Sequence, residues 1–75
     1  MRTTKNRFLT YRESQYLTNA LRAKKITGAD IARINGMNSP LIINKVINGS
    51  YRVSDKIKER FANAGIDLNE FMIEE

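Results

Sequence analysis

With neither histidine nor cysteine in its 75 residues, the chain would have to build acid–base or metal chemistry from carboxylates. Imidazole is the commonest general base and metal ligand, and a thiolate is what structural zinc or a sulfur nucleophile requires. The carboxylates are Glu13, Asp30, Asp55, Glu59, Asp67, Glu70, Glu74 and Glu75. Three of them fall at predicted helix starts, where capping and dipole roles account for them. None of the rest forms a pair with the setting that acid and base work needs, and none has calcium-loop spacing. The four glycines each stand near a turn or helix end and make no phosphate-cradling loop. Asn48-Gly49-Ser50 fits the glycosylation pattern, but no secretion signal accompanies it. Catalysis, metal binding, cofactors and a small-molecule substrate are therefore not expected.

Charge offers a different chemistry. Lys and Arg number 13 against 8 acids, a net charge of +5, and the distribution is uneven. Residues 1–53 sum to +8, whereas residues 54–75 sum to −3. A basic body with an acidic end suits a polyanionic partner, the acidic end turned away or set against another protein. The polar opening holds Arg2, Lys5 and Arg7 with no acid and reads as a flexible basic arm over residues 1–9. No apolar run approaches the ~20 residues of a bilayer span. The expectation is a soluble, intracellular protein with no membrane partner.

A chain of this length holds one small domain, here residues 10–75, with a margin small enough that a partner or homodimer would help. Thr10 and Glu13 have capping-box spacing and open a helix over 10–25, with Leu17, Ala20, Leu21 and either Tyr11 or Tyr16 on one face. Thr27 caps a second short helix to Ile34, with Ile31 and Ala32 inward, and Asn35-Gly36 ends it. Ser39-Pro40 supplies a hydroxyl cap and a first-turn proline for a third helix, 41–48, with Ile43, Val46 and Ile47 inward. Its β-branched content admits a strand, but the caps at both ends favour helix. Tyr51 and Val53 are candidates to pack in the connection. Ser54 caps a fourth helix to Ala64, with Ile57 and Phe61 inward and Gly65 closing it. A capping box from Asp67 to Glu70 opens a last turn that docks Leu68, Phe71 or Met72. The result is an all-α bundle of about five short helices.

Two short helices in tight succession over 26–49 resemble the helix-turn-helix of the phage lambda repressor and Cro superfamily. The resemblance rests on Thr27, Ile31-Ala32, Gly36, Ile43, Val46 and Asn48-Gly49 in order, and extends through Ser54 to Phe71. It implies a lambda repressor-like fold and a regulator of a temperate-phage lysis/lysogeny switch, with helix 39–48 in the major groove of operator DNA. The sequence departs from the family pattern at Gly28, where the family has a phosphate-binding glutamine, and at Ile47, where a glutamate is usual. The turn is also one residue longer.

On this reading the face meeting bases holds Ser39, Pro40, Leu41 and Lys45, with Asn44 at its margin. Thr27, Arg33, Lys45, Asn48 and Arg52 are candidate phosphate contacts, and the arm would reach the backbone or minor groove. Lys45 and Asn44 can bond base edges, Leu41 can touch a thymine methyl, and Pro40 donates nothing. The alternative is a protein-interaction module: a modulator or antirepressor that keeps the fold but binds a co-encoded repressor's DNA-binding domain. It draws on the same helix, because Ile43 and Val46 already supply an inward face and at least one of Leu41 and Ile42 is therefore expected to be exposed. The acidic end would suit a repressor's basic surface.

Overall fold

The structure is a computed structural model and describes residues 7–73, which are all helix, turn and connection. Four α-helices occur in the order α1 (Tyr11–Lys24), α2 (Gly28–Ile34), α3 (Leu41–Ile47) and α4 (Asp55–Ala62), followed by one 3₁₀ turn, Leu68–Glu70. The fifth expected helix is thus a single turn. Asp67 accepts from the Asn69 backbone N–H at 3.0 Å and starts it.

Local chemistry explains the boundaries. Thr10 and Glu13 form a reciprocal capping box at the start of α1, and Thr27 and Asp30 do the same for α2. Ser54 accepts from the Ile57 N–H and opens α4. The start of α3 differs from the expected arrangement. Pro40 is itself the cap residue rather than the first helical residue, and Ser39 Oγ accepts from the Leu41 N–H at 3.2 Å. The helix ends share one closure, in which an N–H beyond the helix returns to a carbonyl five residues back: Ile26 to Leu21, Met37 to Ala32, Ser50 to Lys45 and Ile66 to Phe61. Helix α4 accordingly stops at Ala62, two residues before the expected Ala64, so that the closing turn can form.

The core is assembled from Leu17 and Leu21 of α1, Ile31 and Ala32 of α2, Ile43, Val46 and Ile47 of α3, and Ile57 and Phe61 of α4. Leu9, Val53, Ile66 and Met72 complete it from outside the helices, with Leu68 from the 3₁₀ turn. Two expectations fail on the aromatic residues. Neither Tyr11, 80% exposed, nor Tyr16 packs inward, because Leu17 and Leu21 with Glu13 already fill the inward face of α1. Tyr51 is exposed beside a buried Val53.

The described end of the expected basic arm is built into the domain. Arg7 grips the fully buried Glu13 carboxylate with both guanidinium nitrogens, at 2.6 and 2.8 Å. Its carbonyl accepts from the Val53 N–H, Leu9 is buried, and the Leu9 carbonyl lies where a side chain on Gly49 would have to go. Residues 7–9 are therefore a structural strap across the end of α3. Arg2 and Lys5 lie outside the described residues. Two further ties hold the helices in place. Ser14 Oγ of α1 donates to the Ile47 carbonyl at the end of α3. The Asn35 side-chain amide donates to the carbonyls of Ile31 and Arg60, while its oxygen accepts from Asn63 Nδ2, which fastens the end of α2 to α4.

Candidate nucleic-acid interface

With Ile43, Val46 and Ile47 buried, α3 can present only its other side to solvent. Leu41, Lys45 and Asn48 follow one another at helical spacing along that side, flanked by Asn44 and Ile42. All five are exposed. Both Leu41 and Ile42 are exposed, at 57% and 37%, where at least one was expected. Among the described residues Lys45 forms no ion pair. The face thus offers an ammonium, two carboxamides and two aliphatic groups on about two turns of helix.

Asn44 is the point at which this face meets α2. Gly28, the first residue of α2, is buried beneath it, and a Cβ at Gly28 would stand 2.0 Å from Asn44 Oδ1. The absence of a side chain at Gly28 therefore lets the Asn44 carboxamide lie across the start of α2. A glutamine at this position would displace Asn44, which gives the departure at Gly28 a local physical reason. Thr27, beside it, is exposed but engaged: its Oγ accepts from the Asp30 N–H, and its own N–H donates to Asp30 Oδ2 at 2.9 Å. The Thr27 backbone N–H first, and then the Thr27 side chain, hold the Asp30 carboxyl below its ordinary range, with the Arg33 guanidinium adding to the effect.

The remaining sequence candidates are dispersed. Arg33 is on the outer side of α2, opposite the buried Gly28, Ile31 and Ala32, and pairs with Asp30 at 3.0 Å. Arg52 is exposed in the connection after α3, close in sequence to Asn48. Ser39 and Pro40 form the start of α3 as described, and Arg7 is committed to Glu13. The structure therefore puts Leu41, Ile42, Asn44, Lys45 and Asn48 on the exposed side of α3, with Gly28, next to Thr27, against Asn44, and pairs Arg33 with Asp30 and Arg7 with Glu13.

Two features escaped the reading from sequence. The Arg7–Glu13 pair was hidden because Glu13 already had a sufficient role in the capping box. The Gly28–Asn44 contact joins residues on different helices, and only the absence of a side chain at a helix start hinted at it. Compared with protein-family models, with curated proteins and with solved structures, the chain matches none of them.

Proposed function

We propose that the protein is a small DNA-binding regulator in which α2 and α3 act as a helix-turn-helix, with α3 entering the major groove. The observation carrying this reading is the outward face of α3, where Lys45, Asn48 and Asn44 stand together on a helix whose opposite side is wholly buried. Asn carboxamides suit adenine, an ammonium suits guanine or phosphate, and Leu41 suits a thymine methyl. Thr27 and Arg52 flank the helix as phosphate contacts, and the charge of +8 over residues 1–53 supplies the long-range attraction. The lambda repressor and Cro resemblance supports the same assignment, including a phage genetic switch as its setting.

A second reading is favoured by the exposure of Leu41 and Ile42 together. Aliphatic groups at the tip of a helix contribute little to reading DNA, but they anchor a protein contact well. On this reading the module binds a co-encoded repressor through the same helix. A mobility-shift titration on the control region of its own gene, with and without that repressor, decides between them. A shift by the protein alone supports the DNA reading, whereas a shift that requires both proteins, or release of bound repressor, supports the modulator.

A further inference from the structure

Between the start of α3 and α4 runs a groove of about 230 Å³, lined by Met37, Ile42, Tyr51 and Ile57 together with Ser54, Lys56 and Arg60. Lys56 and Arg60 stand one turn apart on α4 and also wall a second recess of about 250 Å³, together with Glu59 and the Asn35 and Asn63 amides. Among the described residues neither cation forms an ion pair, although Arg60 Nη1 donates weakly to the Asn35 carbonyl at 3.4 Å. An apolar cleft with two cations in its lining calls for an aliphatic side chain flanked by carboxylates.

The chain contains such a segment. Residues 70–75 carry Glu70, Glu74 and Glu75 with no base, around Phe71, Met72 and Ile73. Met72 is spent on the core, but Ile73 is 60% exposed. We propose that the α3–α4 groove receives the 70–75 segment of a second copy of this chain, Ile73 entering the cleft and the carboxylates meeting Lys56 and Arg60. The inference depends on neither reading of function.

The arrangement is head-to-tail, since groove and segment are different surfaces, and each copy offers one of each. One short segment in one groove buries less than the ~1,200 Å² of a standard complex. The association is accordingly weak, with a dissociation constant between about 10 µM and 1 mM. Opposite charges make it sensitive to salt.

Sedimentation velocity on the full chain from about 10 µM to 1 mM tests this in the range set by that affinity. The average mass should rise with concentration and fall with added salt. Lys56→Glu, at an exposed groove position, and Ile73→Ser, at an exposed segment position, should each weaken association at least tenfold, with circular dichroism confirming the fold. Mixing the two variants should restore association, because one keeps an intact segment and the other an intact groove. A wild-type chain that stays monomeric throughout overturns the proposal. So does association that both variants leave undiminished, and so do variants that fail to recover on mixing.

Discussion

Glu13 is the side chain on which the N-terminal half of the fold turns. A buried carboxylate is tolerable only when its charge is matched and its oxygens are satisfied. Here Arg7 supplies the charge, and the Thr10 N–H adds a bond to Oε1 at 2.9 Å. Removing the Arg7 guanidinium takes two charge-assisted hydrogen bonds away from a fully buried carboxylate. Arg7→Ala is therefore expected to cost about 3 kcal/mol or more, a large part of a small domain's stability, with urea unfolding as the measurement. Two backbone positions make a matched pair of opposite sign. Lys25 closes α1 at φ 58°, a left-handed conformation that an L side chain resists, so Lys25→Gly should stabilise by about 0.5–1 kcal/mol. Gly49 closes α3 at φ 79°, and a Cβ there would stand 2.8 Å from the Leu9 carbonyl oxygen. Gly49→Ala should thus cost about 1–3 kcal/mol, since it meets both the left-handed backbone and the Leu9 carbonyl. Thermal melts of the two variants should move in opposite directions.

At the scale of elements, α3 decides between the two functional readings, because its polar and aliphatic groups belong to different chemistries. Lys45→Ala should weaken DNA binding by about 1 kcal/mol or more while leaving a repressor contact nearly unchanged. Leu41→Ala or Ile42→Ser should do the reverse, at about 2 kcal/mol for a fully buried aliphatic anchor. Paired titrations against DNA and against the repressor measure both, and equal losses for all three variants would show that the helix acts only through folding. The exposure of this face was legible in the sequence in part, since the inward spacing of Ile43 and Val46 left at least one of Leu41 and Ile42 to solvent, whereas the start of α3 at Pro40 was not. What was not readable lies between elements. Nothing local told that Tyr51 would stay outside while Val53 packed, or that Asn35 would bridge α2 to α4 rather than merely end a helix. Such choices depend on which side chains of other elements fill a site, and a periodicity along one segment does not contain that information.

Across the whole molecule, the division of charge shapes any encounter with a polyanion. The positive excess is confined to residues 1–53, while the acidic residues 54–75 begin with α4 and contain the segment proposed to contact a second copy. Fixing Arg7 on Glu13 removes one of the three arm cations from that supply. On the DNA reading, Arg2, Lys5, Lys45 and Arg52 are the proposed phosphate contacts, with Arg33 drawn toward Asp30. Each phosphate neutralised on duplex DNA releases condensed counterion, contributing roughly −0.9 to the slope of log affinity against log salt. Four contacts give a slope of about −4, and fluorescence anisotropy between ~50 and 200 mM salt measures it. Deleting residues 1–6 should then lower the magnitude by about 2, as Arg2 and Lys5 leave, while retaining Arg7 and the strap that the fold needs. A slope near zero would mean that the positive charge is only solvated surface. In that case α3 and its aliphatic tip would have to find their partner through protein contact instead.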